Sequence, residues 1–158
     1  MTQIDFYILG EDSHRNINQM VCRLCEKALA QEMNVLVYTQ SAEQAQQLDD
    51  LLWTFKADSF IAHKNQLNEP SAAPENSFNY PVLITAPEQI GNNLPTGDKR
   101  YEQYTRLLIN LTDEMPPFHQ QFERIAEMVD KDAHAKEIAR NHYRFYRDKG
   151  YSLNKYEL

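Results

Sequence analysis

Glycine is scarce in this chain, which has only four among its 158 residues. Neither GxGxxG nor a GxxxxGK motif followed by Ser or Thr occurs, and the loop after the first predicted strand holds one glycine, Gly10. Those motifs need glycine because backbone amides must approach a phosphate closely. The sequence therefore does not support a phosphate-binding loop, and we expect no nucleotide or other cofactor.

Cysteine is nearly absent, and the two that occur, Cys22 and Cys25, cannot form a disulfide framework. They lie one turn apart in the middle of a predicted helix, not at its N-terminus, where a reactive thiolate is stabilised. No second pair and no adjacent histidine completes a zinc site, and the five histidines lack metal-ligand spacing. We interpret both cysteines as core residues and expect no metal site.

Long hydrophobic runs are also missing, so no segment is suited to span a membrane. The N-terminal segment MTQIDFYILG has no basic region and is interrupted by Asp5, unlike a signal peptide. The hydrophobic fraction of 42%, with seven Phe and nine Tyr, excludes bulk disorder. We expect one soluble, cytoplasmic domain over residues 1–158.

Short apolar segments alternate with helical patterns along the chain. The predicted strands are Ile4–Leu9, Val35–Thr39, Ser59–His63, Pro81–Ala86 and Arg106–Thr112. A helix is expected from about residue 17 to 33, with Asp12 or Ser13 available as its N-cap, and a second helix opens with Ser41 and Gln44 in a capping-box pattern. This order predicts a three-layer α/β fold. Its mainly parallel, five-stranded sheet carries helices on both faces, a nucleotide-binding-like fold without a phosphate loop.

The last third of the chain is predicted to be helical. Phe118, Phe122, Ile125 and Val129 are spaced to share one helix face. A final helix should run from an N-cap at Asp132 to Lys149, with Gly150 as its stop. His119 and His134 are expected to face solvent, and His142 to lie on the packed side.

The final helix is basic in an acidic protein, which has 16 Lys and Arg against 23 Asp and Glu. Helical spacing places five of its side chains on one face: Lys136, Arg140, Tyr143, Arg144 and Arg147. A solvated face whose cations offset the helix dipole is one interpretation. Such a face usually interleaves acids, however, and this one has none. A binding face for an acidic partner is the alternative.

The acidic pairs Asp49–Asp50 and Asp113–Glu114 resemble ordinary solvated carboxylates, and neither GxSxG nor HExxH occurs. We therefore predict no catalytic residues.

Over nearly its full length the chain resembles the chi subunit of bacterial DNA polymerase III, an accessory of the clamp loader. The resemblance rests on the order and spacing of FYIL, LDDLLWTFKADSFIAH, LLINL, PPF, FERIAEMVD and, above all, ARNHYRFYRDKGYSLN. One departure is the segment after SFI, where Ala62-His63 and a polar loop replace the Pro-His and glycine-rich loop usual in that family.

The resemblance implies a non-catalytic adaptor that joins the clamp loader through the psi subunit. It also implies binding to the acidic C-terminal tail of single-stranded-DNA-binding protein. By position, Arg140 matches the residue that takes the terminal carboxylate, and Tyr143 matches an aromatic wall for the last apolar side chain. The cations that match those meeting the tail's aspartates are Lys136, Arg144 and Arg147.

Trp53 and Phe60 match the family's aromatic surface for psi or for a helicase that competes with psi. Aromatic residues are enriched at interface anchors, which favours partner contact over core packing at the helix end for Trp53. Phe60 begins a predicted strand and is equally suited to burial.

Two other functions compete with the adaptor interpretation. One is an α/β enzyme that binds a nucleotide or phosphorylated substrate at the basic helix, although the glycine loop is missing. The other is direct binding of single-stranded DNA to the basic, aromatic face, which the net charge of −7 disfavours.

Overall fold

A computed structural model describes residues 2–12, 14, 16–54, 63–65, 81–85, 104–116 and 119–157, without the side chains of Trp53 and of 63–65. The strands are β1 (Gln3–Ile8), β2 (Val35–Tyr38), β3 (His63–Asn65), β4 (Val82–Thr85), β5 (Leu107–Asn110), β6 (Arg124–Val129) and β7 (Ser152–Glu157). The helices are α1 (Ile17–Ala30), α2 (Ala42–Thr54) and α3 (Ala133–Asp148), with a short 3-10 helix at His119–Gln121.

The described strands form one sheet in the order β3-β4-β2-β5-β6-β1-β7, and every described pairing is parallel. The expected α/β fold with a mainly parallel sheet is confirmed. The expected count of five strands is wrong, because β6 and β7 add two strands beside β1. Residues 59–62 of the predicted third strand lie outside the described residues, and β3 begins at His63.

Two apolar layers cover the sheet, one on each face. Side chains alternate along β2, so that Leu36 and Tyr38 face the α3 side while Val35 and Val37 face α1 and α2. The strand is fully buried because both layers are apolar. Helices on both faces, as expected, complete three layers.

Residue types at the helix ends explain where the helices begin and stop. Asn16 caps α1, since its side chain accepts a hydrogen bond from the Gln19 amide; the expectation of Asp12 or Ser13 as the cap is wrong. At α2, the Ser41 hydroxyl accepts from the Gln44 amide at 3.2 Å, which confirms the capping pattern.

The segment predicted as a helix with Ile125 and Val129 on one face is the strand β6, so that prediction is wrong. A spacing of four residues keeps two side chains on the same face of a helix and also of a strand, whose period is two. Ile125 and Val129 face the α3 layer, whereas Ala126 faces the α1 layer. Pairing with β5 and β1 decides in favour of the strand. Phe118 lies outside the described residues.

The strand β7 was not expected, because its residues are mostly polar. It lies at the end of the described sheet beside β1, and most of its side chains are exposed. Leu153 packs against the α3 layer, and the Tyr156 ring stacks on Tyr7 of β1. An exposed edge strand therefore gives little hydrophobic signal in the sequence.

No helix in the described part of the chain is long and apolar enough to cross a membrane.

Candidate functional site

A groove of about 390 Å³ lies between α3 and the strands at the β7 end of the sheet. The five residues of the predicted basic face all line it, together with residues from three strands. The lining residues are Phe6, Ile8, Val129, Lys136, Ala139, Arg140, Tyr143, Arg144, Arg147 and Lys155. The helical spacing thus places one face of α3 along one wall of a single concavity.

The helix that carries this groove is defined at both ends by its sequence. The Asp132 carboxylate accepts from the Ala135 amide at 2.7 Å, which confirms the expected N-cap. Gly150 follows the helix with a φ of +82°, the left-handed conformation that glycine adopts at a helix stop. Between these residues the inner side is anchored by His142 and Tyr146, both buried.

The walls of the groove carry five cations, from Lys136, Arg140, Arg144, Arg147 and Lys155, and its described lining includes no acid. Lys136 lies 3.5 Å from Glu11, a residue that is itself 83% exposed. Arg140 and Arg144 form no ion pair with the described residues, and both are exposed. These two guanidinium groups are thus available to a ligand.

The floor of the groove is apolar, formed by Phe6 and Ile8 of β1 and Val129 of β6. Tyr143 stands over it with its ring centroid 5.6 Å from that of Phe6. The Lys155 Nζ lies 4.6 Å from the Tyr143 centroid, a cation–π distance, and Lys155 is the register partner of Phe6 on the neighbouring strand. The Tyr143 ring thus contacts an aromatic side chain and a cation of the sheet, beside an apolar floor that can take a hydrophobic side chain.

Sequence reasoning missed Lys155 and the three floor residues. Lys155 belongs to the unpredicted strand β7, and Phe6 and Ile8 belong to a strand at the other end of the chain. The only sequence signal for Lys155 was its alternation with Leu153, which faces the same side of the sheet.

A second cavity, of about 420 Å³, opens at the carboxyl edge of the strands, where open α/β sheets commonly bind ligands. Its lining includes four acids, Asp113, Glu127, Asp130 and Asp132. Carboxylates repel phosphate, so this edge does not suit a nucleotide.

His119 corrects one expectation and His142 confirms another. His119 is buried, not solvated: its Nδ1 lies 2.8 Å from the Tyr151 hydroxyl, and burial with the nearby Lys149 charge lowers its pKa. His142 is buried on the packed side as expected, and His134 is exposed as expected.

The cysteines Cys22 and Cys25 are both buried, and burial raises the pKa of Cys22 to about 12, so the thiol is inert at neutral pH.

Trp53 belongs to α2, but its side chain lies outside the described part of the chain, as does Phe60. Their predicted contact with a partner stays a prediction.

Comparison with known proteins gives the chain its relatives. A solved structure, that of T4 UvsW, is similar in fold alone: the TM-score is 0.66 at 7% identity, over 99% of this chain and 41% of that one. The DNA polymerase III subunit chi of Pseudomonas aeruginosa is 36% identical over 100% of this chain and 98% of its own length. That of Escherichia coli is 27% identical over 98% and 97%.

The family model described as "DNA polymerase III chi subunit, HolC" matches residues 1–154. The match spans the whole described sheet apart from the last residues of β7, and it includes every residue of α3. The chain therefore belongs to the DNA polymerase III chi subunit family, whose members are accessory rather than catalytic subunits of a replication enzyme.

Proposed function

We propose that this chain is a replication adaptor whose basic groove binds the acidic C-terminal tail of single-stranded-DNA-binding protein. One observation carries the proposal: in a chain of net charge −7, the described lining of one groove combines five cations with an apolar floor and includes no acid. A solvated surface needs no such floor. A peptide that combines carboxylates with a terminal hydrophobic residue matches both features.

Arg140 is the residue that we assign to the terminal carboxylate. Its guanidinium is exposed, lies at the groove and has no described acidic partner. A planar guanidinium can bind both oxygens of a carboxylate, which a lysine cannot do with the same geometry. Tyr143 and the floor then receive the last side chain, while Lys136, Arg144 and Arg147 meet the aspartates that precede it.

The second half of the proposal is attachment to the clamp loader through the psi subunit, with Trp53 and Phe60 as anchors. Family membership supports this assignment, and a helicase that competes with psi is a further candidate for the same surface. We also propose a cytoplasmic location, which work within the replication complex supports. A single domain over residues 1–158 is proposed because one sheet includes strands from both ends of the described chain.

Calorimetry with an acidic peptide ending in phenylalanine tests the groove at low salt. We expect a dissociation constant on the order of micromolar, because exposed ion pairs each contribute little. Arg140→Ala should weaken binding about tenfold or more, and amidation of the peptide's C-terminus should do the same, because each change removes one partner of the same contact. Arg23→Ala, which removes an exposed arginine of α1, is the matched control and should change nothing.

Two results would contradict the proposal. One is wild-type protein that does not bind the peptide at low salt. The other is equal weakening by Arg23→Ala and Arg140→Ala, which would indicate general charge attraction. Tighter binding of inorganic polyphosphate or of an oligonucleotide than of the peptide would favour the competing functions.

A further inference from the structure

A single buried carboxylate connects α3 to the sheet. Glu127 of β6 is 4% exposed and accepts hydrogen bonds from the Tyr146 hydroxyl at 2.8 Å and from Asn110 Nδ2 at 3.0 Å. Its Oε1 also lies 3.4 Å from His142 Nδ1. Two residues of α3, one turn apart, therefore share one partner on the strand beneath them.

His142 faces acceptors with both ring nitrogens. Its Nε2 lies 3.2 Å from the Asp113 carbonyl oxygen, while its Nδ1 faces the Glu127 carboxylate. A carbonyl oxygen and a carboxylate oxygen both accept hydrogen bonds, so both contacts are satisfied only when the ring is an imidazolium with two N–H donors. Burial alone would lower the pKa of His142, but the hydrogen bond and charge of Glu127, with the contacts to Asp113, raise it above 6.5 overall.

The shape of the groove depends on the angle at which α3 is rotated about its own axis. Arg140, Tyr143, Arg144 and Arg147 lie within about one turn of His142 and Tyr146. Any rotation or slide of α3 would move the four groove residues away from Lys155, which belongs to a different element. Tyr146 is completely buried, so its hydroxyl cannot replace the hydrogen bond to Glu127 by one to water unless α3 moves away from the sheet.

We propose that Glu127, His142 and Tyr146 are positioning residues for the basic groove. Their buried contact fixes the position and rotation of α3 on the sheet, in which the cations of the helix and Tyr143 can bind the same peptide. This proposal rests on the proposed function. None of the three residues belongs to the groove lining itself. They act through Arg140 and its neighbours.

Proton loss from His142 is the natural perturbation of this contact. The groups that face His142 are Glu127 from β6, Asp113 from the loop after β5 and Tyr146 from its own helix, with Asp130, Asp132 and His134 further along the same cavity. Because the folded pKa is raised, the stabilisation is complete below 6.5 and is lost as pH rises through the folded value. The contact that fixes the position of α3 on the sheet should weaken over the same pH interval.

The test is the pH profile of peptide affinity between about pH 6 and pH 9, at constant ionic strength, with an N-acetylated acidic peptide ending in phenylalanine. The peptide's carboxylates stay ionised throughout, so only the protein titrates. We expect the wild-type affinity to fall about fivefold, at the low end of couplings between linked sites. His142→Gln should give a flat profile, because glutamine donates a hydrogen bond but does not titrate.

His134→Gln is the matched control, since His134 lies in the first turn of the same helix but is 74% exposed. It should keep the wild-type profile. If His142→Gln also keeps it, His142 has no positioning role and the proposal is wrong. If His134→Gln flattens it as much as His142→Gln does, surface charge explains the effect and the proposal is equally wrong.

NMR titration of the wild-type protein keeps the test valid should His142→Gln fail to fold. The backbone amide of Lys155, which belongs to β7 and whose side chain packs on Tyr143 of α3, should shift with the same midpoint as the His142 ring, in the absence of peptide. An unshifted Lys155 amide would overturn the positioning role. Wild-type protein that binds no peptide at pH 6 would instead overturn the proposed function, and the NMR result would still decide whether His142 sets the helix.

Discussion

At the residue scale, two arginine–carboxylate pairs have the same Nε–oxygen distance but differ in how deeply the carboxylate is buried. Arg124 Nε lies 2.6 Å from Asp5, and Arg106 Nε lies 2.6 Å from Glu123. Asp5 is 1% exposed whereas Glu123 is 66% exposed. Asp5 also accepts hydrogen bonds from amides of β1 and β7, so it joins three strands at the edge that carries Lys155.

Replacing each arginine by methionine should separate the two pairs in free energy of unfolding. Arg124→Met leaves a buried carboxylate without its cation and should cost about 1–3 kcal/mol, below the full cost of breaking a buried pair because Arg124 itself is 39% exposed. Arg106→Met should cost less than about 1 kcal/mol, since both partners are hydrated. Urea unfolding measures both. Equal losses would mean that the Asp5 charge is not desolvated as its burial implies.

At the element scale, the sequence predicts what short-range chemistry decides. The final helix was predicted nearly to the residue, because Asp132, the apolar spacing and Gly150 each act within a few residues of the backbone that they shape. The identity of β6 was not predictable in this way. Ile125 and Val129 fit either element, and only pairing with strands distant in sequence selects one of them.

The residues of the candidate groove likewise separate into those that short-range spacing predicts and those that it does not. Its five residues on one helix were predicted as a set, since helical spacing alone brings them together. Its floor was not, because Phe6 and Ile8 reach the groove only through the position of β1 in the sheet. Lys155 was missed with the strand that carries it.

Gly150 offers a test of the connection between α3 and β7. Its φ is +82°, and no atom of the described residues beyond its two chain neighbours lies within 4 Å of the place a Cβ would take, so a substitution meets backbone strain but no clash with another part of the fold. Gly150→Ala should lower the free energy of unfolding by about 1 kcal/mol. Gly150→Asn should cost less, because asparagine adopts the left-handed conformation more readily. Thermal denaturation that ranked alanine at or above asparagine would contradict this explanation.

At the scale of the whole molecule, the sheet separates two surfaces. The groove lies on the face covered by α3, and α2 packs with α1 on the other face. Under the proposed function, psi and the acidic tail would bind on opposite faces of the sheet, so that neither partner would obstruct the other. The net charge of −7 repels acidic chains in general, whereas the five cations of the groove attract one locally.

A crossed pair of variants tests whether the two surfaces are independent. Trp53→Ala should abolish binding to psi while leaving the affinity for the acidic peptide unchanged within about twofold, because mutations at distant sites act additively. Arg140→Ala should weaken peptide binding about tenfold or more and leave the affinity for psi unchanged within about twofold. Thr54→Ala, an exposed neighbour on α2, is the control for helix stability. Calorimetry of each variant with each partner measures all the affinities.

Loss of binding to both partners on Trp53→Ala, with an unchanged melting temperature, would mean that the two surfaces are coupled through the sheet. Loss of both with a lowered melting temperature would instead identify Trp53 as a core residue of α2, and the psi assignment would then be wrong.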